Sequence, residues 1–272
     1  MYKYQLNNPQ LAYVVAAITG DGHLQIKEWR HLISFFSKEI EDIEAMKICF
    51  QELFQLQGRM YIDDRQKHKN KTKVYGIFFN SRPVALFLKE IGTPVGNKTN
   101  TPFSILEWVL RGSPQIKGAY LRGLFDTEGT IFCRTVNRWQ IGFKMAKNEA
   151  KIDSGVDYLN KIRQLLADFQ IKCSPIRKGF LNIRKDGSKS FELLFNIELT
   201  SFGNFYKYVG FGHLKKQEKL LSALAIARVA KRLKRFPAEE QIEGSSPSPR
   251  FFLLERFPAE EQIEGSSKFP WI

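Results

Sequence analysis

The sequence predicts an α+β fold made of two copies of one unit, each with the element order α-β-β-α-β-β-α. Helical and strand-like periodicities follow each other in the same order twice. Two short segments, VVAAITGDG at 14–22 and LRGLFDTEG at 121–129, are alike, and each precedes an alternating apolar and polar pattern. We therefore expect a pseudo-twofold monomer with two curved antiparallel sheets and two central motif helices.

The first unit is expected over residues 1–112. Its first helix covers 9–20, where Pro9 suits a first turn that needs no N–H donor. Apolar residues at helical spacing predict three more helices, at 39–56, 81–91 and 101–112. Alternation and β-propensity predict four strands, at 23–28, 30–38, 59–64 and 72–80.

The second unit is expected over residues 113–234 and repeats this order. The Asp-Gly pair within KDGSK, residues 185–189, is a hairpin-turn signal between its last two strands. Helices are predicted at 114–127, 149–169, 201–211 and 213–233. Strands are predicted at 129–135, 138–146, 174–184 and 190–200.

The last segment, residues 235–272, has a different character. It contains RFPAEEQIEGSS twice, identically, at 235–246 and 256–267. An acidic repeat rich in Pro, Gly and Ser does not suit a packed core, so we interpret it as a flexible tail. The alternative is a short partner-binding motif in two copies.

The net charge is +14 and is unevenly distributed. Residues 235–272 carry four basic and seven acidic side chains, so residues 1–234 carry +17. A basic globular body favours a polyanionic partner, most simply nucleic acid, although a merely soluble basic protein has the same composition. We expect no membrane association, because no long uncharged apolar run is present. The three cysteines match no zinc spacing and are expected to be reduced thiols.

The two similar segments each carry small residues one helical turn apart. Ala16 and Gly20 in the first segment correspond to Gly123 and Thr127 in the second. Small residues at this spacing let two helix backbones approach closely. If the two helices cross there, the acid that follows each of them meets its counterpart at the crossing point.

Those two acids are Asp21 and Glu128, each followed by glycine. Two carboxylates forced together repel each other, and a hard divalent cation such as Mg²⁺ relieves that repulsion. The carbonyl oxygens at the ends of the helices, at Gly20 and Thr127, are further hard ligands. Beside a phosphodiester, such a site activates a water and stabilises the leaving oxygen. Two polar, solvated helix ends would be the simpler interpretation of one such motif, but two matched copies argue against it.

LRGLFDTEG resembles the signature of the LAGLIDADG homing endonucleases, and VVAAITGDG resembles a diverged first copy. The repeated element order extends the resemblance over residues 9–230 to the two-motif, single-chain members. The resemblance implies that the motif helices cross at the centre of the molecule and that Asp21 and Glu128 hold the metals. Asp126 is expected to cap or bond locally. The first motif departs from the family at Thr19 and Ala16, which affects helix packing and not the ligand.

The resemblance also implies basic residues around the metal site, since a cation near the scissile phosphate lowers the cost of the transition-state charge. Lys98 and Lys216 are the favoured catalytic lysines. Lys38 and Lys147, where a second strand meets a long helix, are the next candidates. Each of these four could also be an ordinary surface lysine.

The solvent-facing sides of the two sheets are expected to bind DNA. Arginine and glutamine on such a face suit guanine and adenine in the major groove, and basic loops suit phosphates. A solvated charged face has the same pattern. The predicted DNA-binding residues are His23, Gln25, Lys27, Arg65, Lys67, Lys69, Lys71, Thr130, Arg134, Arg138, Gln140, Lys144, Arg177, Lys178, Arg184, Lys185 and Lys189.

The function expected from these features is that of a monomeric, intron-encoded endonuclease that uses Mg²⁺ to cut double-stranded DNA at a long asymmetric site. The alternative is an intron RNA maturase, with or without DNA cleavage. A transcription regulator would lack the two acids, and no splicing block of an intein flanks the motifs. GxxxxGK[ST] and HExxH motifs and an H-N-H arrangement of histidines are absent from the sequence. A mitochondrion, a chloroplast and a prokaryotic cytoplasm all fit.

Overall fold

A computed structural model describes residues 5–63, 73–135, 138–183 and 187–233, with the side chains of residue 63 and residues 227–233 outside that description. Within these ranges the chain forms two successive groups of elements in the predicted order. The first group contains α1 (Pro9–Thr19), β1 (His23–Lys27), β2 (Arg30–Ser37), α2 (Ile40–Phe54), β3 (Arg59–Asp63), β4 (Val74–Asn80), α3 (Arg82–Glu90) and α4 (Glu107–Leu110).

The second group repeats the first. It contains α5 (Pro114–Thr127), β5 (Gly129–Cys133), β6 (Trp139–Asn148), α6 (Ile152–Ala167), β7 (Arg177–Ile183), β8 (Lys189–Ile197), α7 (Phe202–Tyr208) and α8 (Leu214–Leu233). Short 3₁₀ turns precede α6 and α7. The division at 112 and 113 falls in the turn between α4 and α5.

Each motif helix begins at the cap that its sequence specifies. The Asn8 side chain accepts hydrogen bonds from the backbone N–H groups of Gln10 and Leu11 at the start of α1. The Ser113 hydroxyl accepts one from the N–H of Ile116 at the start of α5. Proline occupies the first turn of both helices. The caps satisfy N–H groups that the first turn leaves without helical partners.

Two four-stranded antiparallel sheets have the same strand order, β1-β2-β4-β3 and β5-β6-β8-β7. Inward-facing apolar rows of both sheets, such as Ile33 and Phe79 in the first and Ile141 and Phe195 in the second, are buried with the helices in one core. The α+β class and the duplicated αββαββα order are therefore confirmed. Among the described residues, no helix is long and apolar enough to cross a membrane.

Most element boundaries differ from the prediction by a few residues, and two of these differences affect the site. Helix α4 covers only Glu107–Leu110, and the chain before it is irregular and packs against the second unit. There the Phe103 ring lies 4.8 Å from the ring of Tyr158, edge to face. Strand β6 continues to Asn148, two residues beyond the predicted end. Lys147 therefore belongs to the strand and not to its junction with α6.

Candidate metal and nucleic-acid site

The helices α1 and α5 pack against each other through the predicted small residues. A Cβ atom on Gly123 would lie 2.5 Å from the Tyr13 carbonyl oxygen and 2.9 Å from the Ala16 Cβ. A Cβ on Gly20 would overlap the Thr127 side chain and come within 3.4 Å of the Glu128 Cγ. Because the backbones are this close, the ends of the two helices lie side by side.

Asp21 and Glu128 follow these helix ends, and they are close enough for the charge of Asp21 to act on Glu128. Asp21 is exposed, whereas Glu128 is partly buried and forms the C-cap of α5. Burial, together with the nearby charge of Asp21, raises the pKa of Glu128 to about 7. Lys98, Lys216 and Lys144 oppose this rise of the Glu128 pKa. The pair is thus a site of concentrated negative charge in a partly desolvated place.

Lys98 reaches the end of α1. Its ammonium donates to the carbonyl oxygens of Ile18 at 3.0 Å and Gly22 at 2.7 Å, and also to that of Gly20. Burial lowers the pKa of Lys98 to about 8, although Glu128 and Asp21 counteract this.

Lys216 makes the equivalent contacts at the end of α5. Its ammonium donates to the carbonyl oxygens of Phe125 at 3.2 Å, Asp126 at 2.6 Å and Gly129 at 2.7 Å. Burial lowers the pKa of Lys216 too, against the opposing charges of Asp126 and Asp21. The two lysines favoured from the sequence are therefore brought to matching positions beside the acids.

Asp126 does not point toward Asp21 and Glu128. It belongs to a separate, partly buried hydrogen-bond network. Its carboxylate accepts hydrogen bonds from the backbone N–H groups of Gly212 at 2.8 Å and His213 at 3.2 Å, just before α8 begins. The Tyr13 hydroxyl of α1 donates to it at 2.9 Å. Asp126 therefore ties the segment before α8, which carries Lys216, to α5 and α1. The expectation that Asp126 bonds locally is wrong, because these backbone partners lie 86 and 87 residues away and could not be identified from spacing.

The placement of Lys147 contradicts its assignment as a catalytic candidate. The residue is completely buried. Its ammonium donates to the carbonyl oxygens of Lys98 at 2.7 Å and Thr101 at 2.9 Å, and it lies 3.9 Å from the centre of the Phe103 ring. The extra length of β6 places this side chain on the helix-facing row. Lys147 thus anchors the segment that carries Lys98.

Lys38 lies elsewhere and retains its place as a candidate. It is exposed at the end of β2 and lines a cleft that also contains Asp21, Thr127 and Lys216. Its side chain can therefore approach a phosphate bound over the acids without a change in the fold. Its catalytic role is still a prediction.

The oxygen groups at this site fit a hard divalent cation in their chemistry. The two carboxylates lie at the C-terminal ends of two helices, and carboxylate oxygens are ligands that Mg²⁺ prefers. The Gly20 carbonyl accepts from Lys98, and the Thr127 hydroxyl donates back to the Gly123 carbonyl at 3.0 Å. Asp21 and Glu128 are thus the principal candidate ligands. Among the described residues, no group of three or more His, Cys, Asp or Glu side chains is arranged to hold a metal.

The predicted DNA-binding residues of the first sheet lie on its outer face. His23, Gln25 and Lys27 alternate along β1 with the inward-facing Leu24 and Ile26. Burial, with the charges of Lys98 and Arg30, lowers the pKa of His23. The row begins two residues after Asp21, so it continues directly from the acids.

In the second sheet, Thr130, Gln140, Lys144 and Arg177 belong to the outer rows, and Lys144 pairs with Glu192 at 3.0 Å. Arg134 and Arg138 are exposed at the β5–β6 turn, and Lys189 is exposed at the start of β8. Lys178 instead shares the row of Leu193, which faces the helices, and its ammonium lies 3.5 Å from the centre of the Phe191 ring. The remaining predicted residues, Arg65, Lys67, Lys69, Lys71, Arg184 and Lys185, lie outside the described residues.

No protein-family model matches the sequence. The chain is 28% identical over 206 residues to the replication factor C small subunit of Methanocaldococcus jannaschii, which is 73% of this chain and 10% of that protein. It is 27% identical over 222 residues to the DNA-directed RNA polymerase subunit Rpo1N of the same organism. The match covers 77% of this chain and 16% of that protein. It is 28% identical over 167 residues to the tRNA-splicing ligase RtcB of Pyrococcus abyssi. The match covers 60% of this chain and 18% of that protein. The chain thus spans less than a fifth of the length of each of these relatives.

Two solved structures are similar in shape at 15% sequence identity. One is the homing endonuclease I-WcaI bound to its DNA recognition sequence, with a TM-score of 0.47 over 76% of this chain and 83% of that one. The other is the N-terminal LAGLIDADG domain of DUF199/WhiA, with a TM-score of 0.43 over 76% and 85%. The architecture itself is evident in this chain, in its two acid-ended motif helices packed together and its duplicated sheets. It has a duplicated αββαββα fold, with one motif helix from each unit at the crossing.

Proposed function

We propose that this chain is a site-specific homing endonuclease that makes a double-strand break at a long, asymmetric DNA site and depends on Mg²⁺ or another hard divalent cation. The observation that carries the proposal is the placement of Asp21 and Glu128 at the crossed helix ends, with a partly buried lysine beside each. The proposed endonuclease acts as a monomer and is encoded within an intron.

The basic charge supports duplex DNA as the substrate. Residues 1–234 carry +17, and outer-face polar residues continue from the acids along both sheets. A duplex laid over the two sheets would bring its backbone to the crossing point. Basic side chains would hold the phosphates, and the outer rows would face the base edges.

The chain's own residues prepare the chemistry in three ways. Asp21 and Glu128 supply the carboxylates that would bind the cation. Lys98 and Lys216 hold the helix-end carbonyls in place and provide positive charge for a phosphate in the transition state. A hard divalent cation held there would activate water and stabilise the leaving oxygen.

The distribution of similar segments among the relatives supports a mobile genetic element. A similar segment makes up less than a fifth of three proteins whose names describe replication, transcription and RNA ligation. A segment that recurs within such different proteins does not supply their activities. This is the distribution expected of a sequence that spreads by cutting DNA.

The test is cleavage of a duplex that carries the uninterrupted insertion site, with Mg²⁺, by the wild type and the variants Asp21→Asn and Glu128→Gln. We expect double-strand scission by the wild type and its loss in both variants, with DNA affinity retained. Tight DNA binding without scission would overturn the nuclease. Binding to intron RNA with none to duplex DNA would establish the maturase instead.

A further inference from the structure

The strand registers allow the outer faces of the two sheets to be compared position by position. Asp21 corresponds to Glu128, so His23 corresponds to Thr130 two residues later. His23 lies opposite Ser34 in the first sheet, and Thr130 lies opposite Gly142 in the second. Extending this pairing across β4 and β3, and across β8 and β7, matches the outer positions as far as Lys178, where the register of β7 shifts.

Four matched outer positions differ in the same way. Each is apolar or aromatic in the first sheet and polar or charged in the second. The pairs are Leu32 with Gln140, Phe36 with Lys144, Phe78 with Asn196, and Tyr61 with Arg177. Two matched positions differ in the opposite sense, Gln25 with Phe132 and Gly76 with Leu194. The four pairs nevertheless lie on one contiguous surface, so the first face is the more aromatic of the two there.

The apolar side chains of the first sheet form a contiguous group, which we call the aromatic row: Phe36, Phe78 and Tyr61. The Phe36 and Phe78 rings are 5.6 Å apart, edge to face, and those of Tyr61 and Phe78 are 6.1 Å apart. Phe36 is 45% exposed and Tyr61 is 40% exposed. A Cβ on Gly76 would lie 2.9 Å from the Phe36 ring, so the glycine leaves room for that ring over β4.

The aromatic row is not required by the core. The opposite rows, with Ile33, Phe35, Ile77 and Phe79, are the ones that pack against the helices. Large aromatic side chains held together on a solvent-facing sheet surface mark a binding site more often than chance exposure does.

The surroundings of the aromatic row favour a duplex nucleic acid as its occupant. Arg59 lies directly opposite Phe78, and Lys27 and Arg30 flank the same face at the β1–β2 turn. Phe36 also lines the cleft that contains Asp21. The row is therefore continuous with the proposed catalytic acids and bordered by positive charge, which a phosphate backbone complements.

We propose that the aromatic row reads thymine methyl groups in the major groove of one half-site, while the second sheet reads the other half-site by hydrogen bonds. This inference rests on the proposed function. In the major groove, thymine alone presents a methyl group, and apolar side chains such as phenylalanine contact it. Gln140, Lys144 and Arg177 have the donors and acceptors that hydrogen-bonded readout needs. The target would thus have its thymine contacts concentrated in the half-site that the aromatic row reads.

The experiment begins with selection of bound duplexes from a random library by the full chain and by two matched variants, Phe36→Ala and Lys144→Ala. The variants occupy equivalent positions, so each should relax base preference in a different half-site, which assigns the halves. Uracil then replaces thymine in one half at a time, which removes the methyl group and keeps the hydrogen-bonding groups. Phe36→Leu, which keeps an apolar contact, distinguishes loss of contact from a fault in folding.

We expect uracil to weaken wild-type binding about fourfold per contacted thymine in the half-site affected by Phe36→Ala, from the value of a buried methyl-sized group. Uracil in the other half-site should have a smaller effect, and Phe36→Ala should leave that effect unchanged. In the affected half-site Phe36→Ala should remove the discrimination, and Phe36→Leu should retain it. Equal binding of uracil and thymine duplexes by the wild type, or discrimination in that half-site that survives in Phe36→Ala, would overturn the inference.

The two proposals fail in distinguishable ways. An enriched duplex that is bound but not cut would end the nuclease proposal, while the uracil series would still decide the inference. A library that yields no enriched duplex would overturn both, because no sequence would then be read by either sheet.

Discussion

The ammonium groups of Lys98 and Lys216 bind carbonyl oxygens that the ends of α1 and α5 leave without helical partners. These carbonyls otherwise face a partly desolvated crossing, where an unsatisfied polar group destabilises the fold. Each lysine therefore has a structural role in addition to its proposed role in catalysis.

Substitution of either lysine by methionine should affect both roles. We expect Lys98→Met and Lys216→Met each to lower the free energy of unfolding by about 1–3 kcal/mol, because the carbonyls lose a charged donor. Urea denaturation measures this. Lys172→Met, on the exposed surface, is the control for loss of one positive charge and should change stability by less than about 0.5 kcal/mol. Stability equal to the control in both variants would contradict the role assigned to the lysines.

The raised pKa of Glu128 gives the site a pH dependence of known sign. Its pKa is about 7 in the folded protein, above the ordinary value of 4.5, so the folded state holds this proton more tightly. The stabilising contribution is therefore present below pH 4.5 and is lost as the pH rises through about 7. Above that pH the ionised pair is ready for a cation, whereas below it binding must displace a proton.

Added Mg²⁺ should consequently raise the melting temperature of the wild type more at pH 8 than at pH 5.5. Glu128→Gln, which removes both the titration and a ligand, should show little response at either pH. Thermal melts with and without Mg²⁺ measure this without any need for the DNA target. An equal response at both pH values in the wild type would show that Glu128 does not bind the cation.

A site residue could be predicted from the sequence only where a recognisable pattern marked it. Asp21 and Glu128 could be found because a duplicated motif marked them. Lys147 was misplaced because two more residues of strand moved its side chain to the helix-facing row. Alternation along a strand fixes a face only when the strand boundary is known.

The helix crossing is the element on which the site depends, and Gly123 is its closest point. A methyl group there would meet the backbone oxygen of Tyr13 at 2.5 Å, and a backbone atom cannot move aside cheaply. The small residues that permit this approach were visible in the sequence as a repeated spacing. The irregular path before α4 was not visible, because its partners belong to the other unit.

Gly123→Ala should therefore destabilise the protein by about 1–3 kcal/mol through overpacking, and it should lower cleavage by separating the acids. Gly203→Ala, in α7, is the matched control, because a Cβ there meets no atom within 4 Å. In that helix alanine should be neutral or stabilising by up to about 1 kcal/mol. Comparable denaturation midpoints for the two variants would mean that the helices separate without cost.

Across the whole molecule, each unit helps to position the lysine of the other. Lys147 of the second unit holds the Lys98 segment through two carbonyls. In the opposite direction, Lys215 beside Lys216 pairs with Glu39 of the first unit at 2.6 Å. The sequence indicated the duplication, but these exchanged contacts follow only from how the units pack.

This exchange predicts that one molecule carries a complete site and that two molecules cannot share one. Asp21→Asn and Glu128→Gln each retain one acid, so proteins that paired their halves between chains would regain a site with both acids on mixing. We expect an equimolar mixture of the two variants to remain unable to make the double-strand break. The measurement is plasmid linearisation, with a mixture of wild type and either variant as the control, which should cut in proportion to its wild-type content. Restored linearisation in the mixture of variants would show that the active species is a dimer.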